Sequence, residues 1–165
     1  MKRILIIGCP GSGKSTFARA LQKQLGLPLY YLDRMYWNAD RTTVSKEEFR
    51  SRLCEVLAQK EWIIDGNYKS TMEMRMEACD TIVFLDYPTE VCLGGIEARR
   101  GKERPDLPWV EVEEDDAFME YIRTFREEHR PQILALLERY DDRRILVFSD
   151  RAEAEVFLHT VTQGS

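Results

Sequence analysis

The chain has 165 residues, 44% hydrophobic and 32% charged, long enough to bury one core without disulfide or metal support. No apolar run approaches the roughly 18 residues that read as a bilayer span, and a net charge of −5 is the wrong sign for a protein whose main ligand is nucleic acid. The four cysteines (Cys9, Cys54, Cys79 and Cys92) make no CxxC pair, which argues against a zinc site or a disulfide framework and for free thiols in a reducing cytoplasm. The opening "MKRILIIGCPG" reads as a first strand at 3–7 and not as a targeting leader, because its short apolar segment runs into glycines without a cleavage-like site. A helix follows, with Phe17, Ala18, Leu21 and Leu25 on one face and Gly26 and Pro28 as its stop. "LYYL" at 29–32 is a second strand. "SKEE" at 45–48 matches a capping box and starts a helix with Phe49, Leu53, Val56 and Leu57 on one face. "WII" (62–64) and "TIVFL" (81–85) are strands, separated by a weaker helix at about 70–78. Helices at about 89–100 and 115–140, the second interrupted by Pro131, precede a last strand "RILVF" (144–148) and the helix "AEAEVFLHTV". Continuous apolar strands alternating with amphipathic helices predict an α/β domain with a parallel sheet covered on both faces.

"GCPGSGKST" at 8–16 carries the chemistry. It satisfies the Walker A pattern G-x-x-x-x-G-K-[ST] with Gly8, Gly13, Lys14 and Ser15, and it stands between a strand and a helix, as its mechanism requires. Gly11 and Gly13 permit the backbone to wrap a phosphate; Pro10 and Ser12 complete the loop, whose N–H groups and following helix N-terminus form an anion cradle. In such a loop Lys14 reaches the β and γ phosphates, the Ser15 hydroxyl ligates Mg²⁺, and Thr16 approaches the α phosphate. No N-K-x-D guanine motif is present, so ATP is the expected nucleotide. "CLGGIEA" (92–98) lacks the Ser and Gln of an ABC transporter signature. Asp65, ending the strand "WIID", is placed to act as a Walker B acid behind the metal.

With "IIDGNYK" (63–69) beside the phosphate loop, the chain resembles the nucleoside-monophosphate kinase branch of P-loop proteins, in which adenylate kinase carries "LLDGFPR". "FLDYPTEVCLGGIEARRG" (84–101) aligns without gaps with that family's strand end and the helix leading to its lid arginines. The set "LIIGCPGSGKST", "YYLD", "YW", "IIDGNY" and "FLDYP" is similar to the small adenylate-kinase-like proteins called DNA topology modulation (FlaR-type) proteins. The resemblance implies a P-loop three-layer fold, a five-stranded parallel sheet in the order 2-3-1-4-5. It implies one domain over 1–165, with a lid at about 101–118 and an acceptor-side helical segment at about 38–60. Two positions depart from adenylate kinase: Gly95 stands where that enzyme has an arginine, and Lys69 replaces the arginine of "DGFPR".

The resemblance makes Arg99 a lid arginine, with Arg100 beside it, and related small-molecule kinases place an acceptor-binding base at the strand end where Asp33 falls. Arg123, Arg126 and Arg130 recur on the long helix after the lid, and Arg126 is the candidate for contact with the moving phosphate. Arg151, after the last strand, stands where this fold often holds adenine. Tyr36 and Trp37 could stack on a ring or belong to the core. His129 and His159 read as structural, and the acidic run at 111–116 as a solvated lid face. The expected activity is transfer of the γ-phosphoryl group of Mg-ATP to a small acceptor, nucleotide or hydroxylated metabolite. The alternative is a nucleotide-dependent switch or weak ATPase; direct nucleic-acid binding and a membrane partner are not expected, and oligomeric state is left open.

Overall fold

The computed structural model describes residues 1–110 and 115–161. Its five strands, β1 (Arg3–Gly8), β2 (Leu29–Tyr31), β3 (Trp62–Asp65), β4 (Thr81–Leu85) and β5 (Arg144–Phe148), form one all-parallel sheet in the order β2-β3-β1-β4-β5. Around it run α1 (Lys14–Leu25), α2 (Leu32–Tyr36), α3 (Lys46–Leu57), α4 (Lys69–Ala78), α5 (Thr89–Arg99), α6 (Asp116–Glu128), α7 (Arg130–Arg139) and α8 (Arg151–Thr160). β1 lies in the middle, and Ile4 through Ile7 are completely buried because helices cover both faces, so this strand is a continuous apolar run instead of an alternating one. Its register pairs Ile6 with Asp65 of β3 and Gly8 with Leu85 of β4. The carboxyl ends of three strands therefore meet where the glycine loop begins, the edge at which open α/β sheets bind ligands. Among the described residues no helix is long and apolar enough to cross a membrane.

Three local outcomes differ from the sequence reading. The second strand ends at Tyr31, and Asp33 belongs to the short helix α2 instead of a strand end. The long helix predicted at 115–140 is two helices. α6 ends against His129, and Pro131 sits in the first turn of α7, where its missing N–H costs no helical hydrogen bond. In the acceptor-side segment, residues 38–45 form a turn closed by a bridge between Trp37 and Thr43, and only α3 is helical. The predicted cap is present, since Ser45 Oγ accepts from the Glu48 N–H at 3.0 Å; the Glu48 carboxylate turns outward to Arg52 at 2.8 Å instead of reaching back. Of the acidic run at 111–116, Asp115 caps α6 by accepting from Phe118 N–H and Asp116 opens the helix, while 111–114 lie outside the described residues. All four cysteines are free.

Candidate functional site

The loop between β1 and α1 takes a conformation that only glycine adopts at low cost. Gly11 and Gly13 have φ of 85° and 93°, in the left-handed region, and a tight turn from Ser12 N–H to the Cys9 carbonyl (3.0 Å) folds the segment between them. Gly13 caps α1 without a side chain, and the first helical hydrogen bond is Phe17 N–H to the Gly13 carbonyl. The amides of Lys14, Ser15 and Thr16 thus have no acceptor within the helix, and the first turn carries no acidic residue, so donors and helix dipole are left for an anion.

Three elements hold this loop. From α5, Gly95 packs backbone to backbone on Gly11: a β-carbon on Gly95 would lie 1.9 Å from the Gly11 carbonyl oxygen, and one on Gly11 would lie 2.0 Å from that of Cys92. An arginine at position 95, as in adenylate kinase, is sterically impossible in this packing. From the β3–α4 loop, the Asn67 amide clamps Gly8 at both ends, accepting from its N–H at 3.1 Å and donating to its carbonyl at 2.6 Å. From the start of α8, the Arg151 guanidinium donates to the carbonyls of Gly11 (3.3 Å) and Ser12 (3.2 Å), with its carbon 5.6 Å from the Tyr87 ring centre. Asn67 is itself fixed by Arg75, a fully buried side chain on α4 that donates to the carbonyls of Gly66, Asn67 and Tyr68 at 2.7–2.9 Å. Burial lowers the pKa of Arg75 to about 9, which leaves it charged at neutral pH.

The loop floors a cavity of about 1040 Å³ lined by Lys14, Ser15, Thr16, Arg19, Asp33, Asp65, Arg99 and Arg151 among others. Lys14 folds over the loop, its Nζ 3.5 Å from the Cys9 carbonyl. Asp65 is 6% exposed at the end of β3, and burial pushes its pKa up to about 7, with the Lys14 ammonium pulling the other way. Asp33 is raised as well, chiefly by burial; the Tyr68 hydroxyl, which donates to Asp33 Oδ1 at 2.5 Å, and the Lys14 charge oppose the shift. Ser15 Oγ accepts from Arg19 Nη1 at 2.6 Å, one turn along α1.

Residues 101–110 close the cavity against residues 34–41. Arg34 donates to the carbonyls of Pro105 and, at 3.2 Å, Leu107. Trp109 packs edge-on against Trp37 with ring centres 5.4 Å apart, and Arg41 lies over the Trp109 ring. Within the segment Arg104 grips Asp106 through two hydrogen bonds of 3.0 and 2.6 Å. Burial pushes the Asp106 pKa up, but those hydrogen bonds and the Arg104 charge outweigh it and hold it below the ordinary carboxylate value.

Most of the residues singled out from sequence therefore meet in one cavity. Gly8 and Ser12 form the base of the loop and not its lining. Arg126 stands apart: it donates to Asp86 (3.2 Å) and the Tyr87 carbonyl (3.3 Å), while Arg130 grips the same carboxylate twice at 2.8 Å, so this pair is a strut between α6–α7 and the end of β4. Arg123 is exposed beside Glu120, and Lys69 lines a second, smaller cavity of about 150 Å³ between α4, α6 and α7. His129, half-buried, packs against the rings of Tyr121 and Phe125, and Tyr36 packs with Phe49 and Tyr68. Sequence reasoning missed Arg19, Asn67, Tyr68 and Arg75. Only Arg19 had a local signal, its one-turn spacing from Ser15.

Residues 4–117 match the AAA domain family, and the chain belongs to it. Solved structures share the fold at low identity. A shikimate kinase from Bacteroides thetaiotaomicron is 24% identical with a TM-score of 0.63, over 96% of this chain and 94% of that one. A shikimate kinase from Acinetobacter baumannii in complex with shikimate is 18% identical with a TM-score of 0.62, over 96% and 89%. A gluconokinase from Sinorhizobium meliloti 1021 is 16% identical with a TM-score of 0.56, over 96% and 91%. No curated protein matches the chain.

Two measurements check this geometry. Gly95→Ala forces backbone apart at the loop, so urea unfolding is expected to show a loss of about 1–3 kcal/mol, together with weaker ATP binding; an unchanged midpoint and affinity would contradict the contact. Asp65 has a folded-state pKa of about 7 against 3.8 for the unfolded chain. Between those values the folded state binds more protons, so stability falls as pH rises, by at most about 4 kcal/mol. Asp65→Asn is expected to flatten that slope, and a slope identical to wild type would remove Asp65 as its cause.

Proposed function

We propose that this chain is a small-molecule kinase that moves the γ-phosphoryl group of ATP, with Mg²⁺, to the hydroxyl of a small acceptor. The observation that carries the reading is that Asp33, oriented by Tyr68, shares one cavity with the uncapped α1 N-terminus and Lys14. A carboxylate able to take a proton thus faces a socket built for phosphate. The fold-sharing structures named as shikimate kinases and a gluconokinase support the same class.

The residues fit the nucleotide: two glycines in the left-handed region and the amides of Lys14 to Thr16, which have no acceptor within the helix, suit a phosphate tail. They also fit Mg²⁺. Among the described residues no three His, Cys, Asp or Glu side chains converge as a metal cage, and Mg²⁺ typically takes one or two protein oxygens and substrate phosphates instead. Ser15 and Asp65 would be its protein donors, once Arg19 releases the Ser15 hydroxyl. When bound, the ion supplies neutralisation of charge on the phosphate oxygens.

In this reading Lys14 and the lid residues Arg99 and Arg100 surround the transferred group with positive charge, and the docked 101–110 segment keeps water out. Tyr68 occupies one oxygen of Asp33, and the carboxylate accepts the acceptor's proton as the acceptor oxygen bonds to γ-phosphorus and the β–γ bridge breaks. The position of Arg151 beside the loop suits the rim of an adenine site. Arg126 keeps its helix in place instead of touching the phosphate. A nucleotide-dependent switch of the DNA topology modulation kind would use the same socket but needs no base at Asp33.

Turnover separates the two: a kinase shows ADP release that rises steeply with one acceptor, and a switch shows slow, unstimulated hydrolysis. Asp33→Asn is expected to lower kcat by about 10²–10⁴-fold while ATP affinity, read by calorimetry, changes little; normal kcat would remove Asp33 as the base. Lys14→Ala is expected to abolish transfer with an unaltered circular dichroism spectrum, and turnover at the wild-type rate would overturn the assignment of the loop.

A further inference from the structure

The cavity's charge is divided unevenly, and the division bears on what the acceptor can be. Its basic lining comes from the phosphate loop and α1 (Lys14, Arg19), the lid (Arg99, Arg100, Lys102, Arg104) and α8 (Arg151), with Arg41 alone from the acceptor side. The acceptor side, formed by residues 31–41 and 65–68, contributes two carboxylates, Asp33 and Asp65, and three aromatic side chains, Tyr31, Trp37 and Tyr68. Across from it the lid adds the aromatic Trp109 and the buried carboxylate of Asp106.

Of the cations that act on Asp33 and Asp65, Lys14 belongs to the phosphate loop and Arg104 grips Asp106, and the other basic side chains near that end are turned to other work. Arg34 holds the carbonyls of Pro105 and Leu107. Arg52 donates to Glu48 and to the Met35 carbonyl, and Arg75 is consumed by the carbonyls of the β3–α4 loop. Lys69 lines the smaller cavity on the far side of Tyr68. Between Leu29 and Ala78 only Arg41 lines the main cavity, and its guanidinium lies over the Trp109 ring, 5.7 Å from the centre. A phosphorylated or carboxylated acceptor needs a bidentate arginine or a comparable donor set where its anion rests. Here that anion would lie beside the carboxyl groups of Asp33 and Asp65, which disfavour a further negative charge. The same walls suit a ring, since aromatic side chains give apolar and stacking contact while Asp33 addresses a hydroxyl.

We propose that the acceptor is a ring compound bearing a hydroxyl and no negatively charged group, and that the acceptor side excludes anionic analogues of the same ring. This rests on the kinase reading. It makes selection negative as well as positive, since the carboxylates that address the hydroxyl also reject a competing anion.

The test uses the whole chain with Mg-ATP and matched pairs that differ in one anionic group: adenosine and AMP, thymidine and thymidine monophosphate, methyl shikimate and shikimate. ADP formation is followed for each. The neutral member of at least one pair is expected to be phosphorylated with kcat/KM at least about 30-fold above its anionic partner, a discrimination within reach of one unpaired buried charge. For that acceptor, Trp37→Ala is expected to raise KM more than it lowers kcat. Phosphorylation that favours the anionic member, or treats the two alike, overturns the inference and leaves the kinase reading standing. ADP formation stimulated by no member of any pair, in protein that still binds Mg-ATP, removes the kinase reading and the inference together.

Discussion

Backbone contact between Gly11 and Gly95 is the constraint on which the site rests. Neither position has room for a β-carbon, so α5 can approach the phosphate loop only because both residues are glycine. That approach sets the loop's depth between β1 and α1. The Asn67 clamp on Gly8 sets its other edge, and Arg151 holds its carbonyls. Each anchor comes from a different element, and the strand order β2-β3-β1-β4-β5 is what brings them together: β3 and β4 flank β1, so the segments following them flank the loop. The loop is thus shaped before any ligand arrives, and little conformational entropy remains to be lost on binding.

The polar groups around that loop form a second, electrostatic layer. Two carboxylates, Asp33 and Asp65, sit where burial disfavours their charge, and the Lys14 ammonium and, more weakly, the Arg104 guanidinium moderate both. Tyr68 orients one of them, and the same residue is held by Arg75 through its carbonyl. A chain of contacts thus runs from a buried arginine under the β3–α4 loop to the acid facing the cavity. On the opposite side, Arg34 neighbours Asp33 in sequence and grips the carbonyls of Pro105 and Leu107, which ties the 101–110 segment to α2. Preorganised groups of this kind are the main means by which phosphoryl transfer is accelerated.

Much of this was legible in the residues. The five strands, the phosphate loop and its helix, and the α3 cap follow from local patterns of apolar period, glycine and capping chemistry, which the fold leaves intact. The sheet order came from family likeness, since nothing local in "WIID" states that it pairs with "RILII". What the sequence hid is long-range. Asn67 reaches across 59 positions to Gly8, and Arg126 and Arg130 reach across 40 and 44 to Asp86. Arginines on a helix look alike in sequence whether they line a cavity or tie to a structural carboxylate, and only the third dimension separated Arg99, in the cavity lining, from Arg126, which donates to Asp86. Gly95 reads as a missing arginine in alignment and as a required absence of side chain in space. Asp33 was expected at a strand end and lines the cavity, but "LDRMY" winds into a single helical turn that the preceding strand-like run of apolar residues concealed.

In the proposed reading the bend after β1 is a ready-made receptor for a triphosphate. Backbone amide chemical shifts of ¹⁵N-labelled protein titrated with Mg-ATP report on that bend residue by residue. The amides of Gly11 to Thr16 are expected to move together and saturably, while the sheet amides of β1 and β4 scarcely change. Saturable shifts confined to other segments, with the Gly11–Thr16 amides unmoved, would contradict it.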